Sequence, residues 1–223
     1  MKGMMFDTDT GLNTAVLDGY KIMTRRLQKI QTSVNGAKIE STEIVDNHKF
    51  GGVGAYIGLY DANHDLIGKV LPSYLIGEEV AVQMSYKNAV EDTPECSVAI
   101  MDYTLTRKKP CDYRDHFGYN NKMYVNPNLM PNRIKITNQF CQHLCDISED
   151  DCIAEGIVLN YMCNDNSKYF TYGNMEKPRF DTAKEAYRSL INKLSKCDIW
   201  TLNPIIFAYE FEVVYRHGKY ITH

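Results

Sequence analysis

The sequence predicts a mixed α/β chain of the α+β type, and three stretches carry that reading. Arg133, Ile134, Lys135, Ile136 and Thr137 alternate polar and apolar, the pattern of a half-buried strand. Near the C-terminus, Phe207, Tyr209, Phe211 and Val213 form one face of a second strand, and Ala208, Glu210 and Glu212 the other. Between them, Ala183, Ala186, Tyr187, Leu190, Ile191 and Leu194 fall on one stripe at helical spacing, which predicts a helix over residues 182–195.

Composition bounds the rest. The 223 residues are 44% hydrophobic and 24% charged, ordinary for a globular chain and unlike a disordered one. A net charge of −3 argues against a protein that coats a long duplex through its phosphates, and leaves room for a small basic pocket. No stretch approaches the roughly 18 apolar residues that span a bilayer. The first residues, with Lys2, Asp7 and Asp9, lack the apolar core of a signal peptide. An odd count of 7 Cys without a secretion signal predicts reduced thiols and a cytoplasmic protein.

Taken in order, residues 10–19 read as a short helix that buries Leu12, Ala15 and Val16 and stops at Gly19. The densest cationic run follows: Lys21, Arg25, Arg26 and Lys29, with Thr24 inside it. Residues 31–65 read as short strands and turns, with a hairpin turn at 61–64. Residues 77–86 predict a turn feeding a strand with Val80, Val82, Met84 and Tyr86 on one face. The polar stretch 87–121 reads as an insertion loop with one apolar piece at 97–103. Ser148 followed by Glu149, Asp150 and Asp151 is a helix cap with acidic first-turn residues. One domain over residues 1–223, with insertions near 31–70 and 87–121, is the simplest organisation.

Four pieces in order resemble the ASCH family, in the version found in phages and prophages. The first runs from Leu17 through Gly19, Lys21 and Thr24 to Arg25 and Arg26, and is similar to the family's "LxGxKTxTRR" opening. The second is Tyr74, Gly77, Glu78 and Val80. The third is Met130-Pro131, Arg133-Ile134, Ile136-Thr137 and then Asp146-Ile147-Ser148-Glu149-Asp150-Asp151 leading to Ala154-Glu155-Gly156-Ile157. The fourth is Ala186-Tyr187, Trp200, Asn203-Pro204, Phe207 and Tyr209-Glu210-Phe211. The chain departs from the pattern at Ile22, where the family has Thr, and at residues 83–86, where Gln83-Met84-Ser85-Tyr86 replaces an "RETW"-like run.

The resemblance implies a PUA-like, partly open β-barrel with flanking helices, and action on RNA or a modified nucleoside. In its best-understood members a Thr nucleophile, a Lys base and a Glu proton donor remove the acyl group of N4-acetylated cytidine. These roles map onto Thr24, Lys21 and Glu155, with Arg25, Arg26, Tyr86 and Arg133 as substrate-binding candidates. The chemistry is coherent, because a hydroxyl needs a nearby base and a lysine serves once burial or neighbouring cations lower its pKa. A non-catalytic RNA- or nucleotide-binding module and a nuclease remain open. In an ideal strand, positions three apart face opposite ways, so Lys21 and Thr24 converge only if Lys21 lies in the turn after Gly19. No cofactor is implied. Cys141, His143 and Cys145 share a strand face but lack the second ligand pair of a zinc knuckle, so no metal is assigned. Oligomeric state is not legible.

Overall fold

In the computed structural model, which describes residues 1–28, 30–46, 54–108, 112–163, 167–172 and 178–221, the chain is α+β. The elements run β1 (Lys2–Met5), α1 (Leu12–Leu17), β2 (Met23–Leu27), β3 (Ser33–Val34), β4 (Ala37–Lys38), β5 (Ser41–Asp46), β6 (Ala55–Tyr60), β7 (Leu66–Val70) and β8 (Glu79–Gln83). There follow α2 (Tyr86–Asp92), α3 (Ser97–Lys108), β9 (Arg133–His143), α4 (Glu149–Ala154), β10 (Ile157–Tyr161), β11 (Lys168–Tyr172), α5 (Ala183–Ser195), α6 (Ile199–Leu202), β12 (Ile205–Arg216) and β13 (Lys219–Tyr220).

The main sheet has the order β1-β8-β9-β12, and the free edge of β12 is shared by two strands. Antiparallel β2 pairs along residues 206–210, and β13 pairs at 215–216. β1 runs parallel to β8. Smaller sheets are formed by β5-β6-β7, by β10-β11 and by β3-β4. Among the described residues the sheets are open, and none closes into a barrel.

Side-chain alternation explains the core. In β9, buried Ile134 and Ile136 alternate with exposed Lys135 and Thr137. The first five residues of β12 are all buried, because that half of the strand is covered on both faces. Completely burying a side chain such as Phe207 contributes ~1.5–3 kcal/mol. Leu12 and Val16 of α1 and Ala186 and Leu190 of α5 belong to the same core.

The predicted helix at 182–195 forms over Ala183–Ser195, capped by the Thr182 side chain, which accepts from Glu185 N. The hairpin turn at 61–64 is built on Asp61, whose carboxylate accepts from the amides of Asn63 and Asp65, both at 2.9 Å. Two expectations are corrected. The strand expected to reach Tyr86 ends at Gln83, because Ser85 Oγ accepts from Asn88 N at 3.2 Å and starts α2. The expected loop at 87–121 holds α2 and α3. Its helical pattern is masked because Val98, Met101 and Leu105 of α3 face solvent while Ile100 and Thr104 are buried.

Candidate functional site

Four elements meet where the first cationic run begins. Gly19, in the left-handed region at φ 78°, ends the first helix, and the amides of Tyr20 and Lys21 both donate to Ala15 O. Lys21 therefore lies in the turn, ahead of β2. The next amide, Ile22 N, donates to Ala154 O at 2.9 Å, and Ile22 O accepts from Phe211 N. Those bonds tie the run to the end of α4 and to β12. Beyond α4 the chain turns at Gly156, φ 98°, where a Cβ would sit 3.2 Å from Leu12 and 3.5 Å from the Lys21 side chain. The left-handed backbone strains any residue with a side chain there, and the Cβ would also press on Leu12.

This clamp puts Glu155 and Lys21 face to face. The Lys21 amine donates to the Glu155 carboxylate at 2.5 Å and to its carbonyl at 2.8 Å. The other carboxylate oxygen accepts from Arg25 Nη1 at 3.2 Å, and Arg25 Nη2 donates to Asp151 at 2.8 Å. With its carboxamide oxygen turned to the guanidinium, Gln142 accepts from Arg25 Nε at 3.2 Å and Nη2 at 3.1 Å. Lys21, Arg25 and Glu155 are 2%, 6% and 4% exposed, so these charges sit in a low-dielectric setting, compensated by one another.

Burial lowers the pKa of the Lys21 amine; Glu155 pulls it back up, and Arg26 and Arg25 push it further down. Arg26 is lowered by burial as well. Its Nη2 donates to Met5 O at 2.6 Å, its guanidinium lies over the Phe6 ring at 5.3 Å, and its Nε has no partner among the described residues.

The cluster lines a cavity of about 550 Å³, within the range of small-molecule sites. Lys21, Thr24, Arg25, Arg26 and Glu155 are on one side, and Leu190, Ile191 and Leu194 of α5 form an apolar wall. Asn121, at the end of the insertion at 87–121, and the adjoining Lys122 and Met123 close another side. None of the described residues between 31 and 70 lines it. Thr24 is 5% exposed, and its hydroxyl makes no hydrogen bond among the described residues. No hydrogen bond joins it to the Lys21 amine, which is taken up by Glu155.

Of the seven sequence candidates, the structure brings five together and leaves two elsewhere. Tyr86 is fully buried at the start of α2, and its hydroxyl accepts from Asn126 N at 2.8 Å, so its ring is a core element. Arg133 lies at the start of β9, with its guanidinium over Tyr215 at 4.5 Å, on a second hollow. Lys29 of the cationic run, and His48 and His223, lie outside the described residues. Cys141 and His143 are on β9, whereas Cys145 lies past its end and its thiol donates to Trp200 O. Burial pushes the Cys141 thiol up to about 12.

Two residues of the site, Asp151 bonded to Arg25 behind the cavity and Tyr187 on its lining, were not singled out as functional from the sequence. Asp151 reads there only as a first-turn acid, and Tyr187 only as part of a buried stripe. Tyr187 lines the cavity with its pKa well above the ordinary value, through burial and then the charge of Glu155. No sequence signal separates either from a structural residue, because their partners are more than thirty positions away.

Among the described residues no helix is long and apolar enough to cross a membrane, and no group of three or more His, Cys, Asp or Glu is placed to hold a metal ion. Compared with family models, curated proteins and solved structures, the chain has no match in any of the three.

Proposed function

We propose that this chain is a cytoplasmic, PUA-like protein of ASCH type that acts on a modified nucleoside, hydrolysing the N-acyl group of a cytidine-type substrate. The observation that supports this reading is that Lys21, Thr24 and Glu155 all line one cavity of about 550 Å³, with the Lys21 amine bonded to the Glu155 carboxylate. The sequence resemblance assigned these same three residues, which lie up to 134 positions apart.

The chemistry uses groups that are all present. Transfer of one proton along the Lys21–Glu155 hydrogen bond turns ammonium and carboxylate into an amine base and a carboxylic acid, with no change in the pair's net charge. The lowered pKa of Lys21 favours that form. Thr24 Oγ1 attacks the acyl carbon and its proton passes to the Lys21 amine. The C–N bond breaks as Glu155 protonates the departing exocyclic nitrogen. Water then opens the ester on Thr24, releases the carboxylic acid and restores the hydroxyl. Arg25, bonded to both Glu155 and Asp151, fixes the direction of the carboxylate.

A second reading, nucleotide or RNA binding without turnover, draws on the Lys21 amine being bonded to Glu155 rather than to Thr24. A panel of N4-acylated cytidines separates the two. Release of cytidine by the wild type, lost in Thr24→Ala and Lys21→Ala, supports the hydrolase. Absence of turnover together with saturable cytidine binding supports the module.

A further inference from the structure

A second hollow, about 870 Å³, lies at the other end of β12. The function proposed above makes no use of it. Its side chains include Arg133 from β9, Tyr215 and Arg216 from the end of β12, and Lys219 from β13. The α2–α3 corner, with Asp92 and Glu95, forms the opposite rim.

Arg133 is the unusual member. Its side chain is only 22% exposed, yet its guanidinium makes no hydrogen bond to any described residue. The nearest carboxylate oxygen, on Glu79, is 3.7 Å from Nη1, close enough to offset charge but too far for a hydrogen bond. Its Nε is shut off from solvent without a partner. Its guanidinium carbon lies 4.5 Å from the Tyr215 ring centroid, within cation–π range, which anchors the head group. Nη1 and Nη2 have no hydrogen-bond partner among the described residues and are not sealed off as Nε is, so the two terminal nitrogens are free to donate to an incoming anion.

Two further cations, Arg216 and Lys219, line the same hollow. Arg216 gives Nη2 to Asp18 at 3.2 Å, but its Nε is also buried without a partner. Lys219 is exposed and has no ion pair among the described residues. Against these cations, Asp92 is already engaged. Its carboxylate accepts from Asn132 Nδ2 at 2.9 Å and Thr93 Oγ1 at 3.0 Å, and lies 3.4 Å from His217 Nδ1. Glu95 is exposed on the rim.

We propose that this hollow is an anion-binding site that takes a phosphate group, with the fork of Arg133 as its principal donor and Arg216 and Lys219 completing the charge. A guanidinium fork matches two phosphate oxygens at once, which an ammonium cannot do. The site is separate from the Lys21 cavity and stands whether or not that cavity turns over acylated cytidine.

The test is calorimetric titration of the whole chain with inorganic phosphate at fixed ionic strength, with chloride as the salt control and glycerol phosphate as a monoester arm. Saturable one-to-one binding is expected, weakened about tenfold or more by Arg133→Ala and less by Arg133→Lys, which keeps the charge but not the fork. Binding of both probes identifies the bare phosphate group as the ligand; binding of the ester alone identifies a phosphate monoester. Circular dichroism checks that each variant is folded, and Arg216→Ala, expected to weaken binding severalfold, provides a second reading if Arg133→Ala does not fold. The proposal is overturned if neither probe binds beyond the chloride control, or if the folded Arg133 variants bind phosphate as the wild type does.

Discussion

The two hollows are built from similar residues and balanced in opposite ways. Around Lys21, the central charges are paired at hydrogen-bond distance, Lys21 with Glu155 and Arg25 with Glu155 and Asp151, while Arg26 beside them gives Nη2 to Met5 O and keeps an unmet Nε. Around Arg133, a guanidinium rests on an aromatic ring with its hydrogen-bonding capacity unspent. The first arrangement suits proton traffic within a preorganised, overall compensated network. The second suits capture of charge from outside. An arginine's surroundings, rather than its presence in a basic motif, decide what it does.

Substitutions break this comparison on the first side hardest. Glu155→Ala leaves Lys21 without a counter-charge in the interior and Arg25 with Asp151 as its remaining one, and the expected loss is about 3–5 kcal/mol of unfolding free energy, read from the denaturant midpoint. Lys21→Met should be far milder, within about 2 kcal/mol, because Glu155 keeps Arg25 and the methionine fills the space. An equal loss in both variants would contradict the carboxylate's place as the hub.

Proton linkage sharpens the same contrast. The folded chain holds the Lys21 proton less tightly than the unfolded chain does, so the unfolded state binds more protons between the lowered value and the ordinary 10.5. Stability from this group therefore rises with pH across that window, by at most about 1.4 kcal/mol per pH unit, and the rise should vanish in Lys21→Met. Denaturant midpoints of both proteins across alkaline pH measure it; parallel curves would contradict a lowered Lys21. On the other side, Arg133→Ala should cost no more than about 1 kcal/mol, since only its stacking on Tyr215 and a long approach to Glu79 are lost. A larger loss would mean that Arg133 holds the fold rather than waiting for a ligand.

The sequence revealed most where one element decides the outcome alone. The helix at Ala183–Ser195 and the strand starting at Arg133 follow from periodicity, and the turn that frees Lys21 from β2 follows from Gly19. Elements decided by a competing local bond were harder to see. Ser85 ends a strand pattern by capping α2, and α3 keeps apolar side chains on its solvent face. The parallel strand β1 and the hairpin β10–β11 owe their pairing to distant partners and left little local trace. In the site, Lys21, Thr24 and Glu155 were legible through motif order. Asp151 and Tyr187 were not, because what distinguishes them is their distance from Arg25 and Glu155. Arg133 was placed with the wrong hollow for the same reason: its motif adjoins the third matched block, but its strand starts at the opposite end of β12 from the cavity.

The most direct measurement is release of cytidine from N4-acetylcytidine by the wild type and by Thr24→Ala, side by side. The account predicts steady release with the hydroxyl present, and a fall of at least about 10³-fold in a variant that still unfolds at the wild-type midpoint. Equal rates in the two proteins, or no release by either, would contradict it.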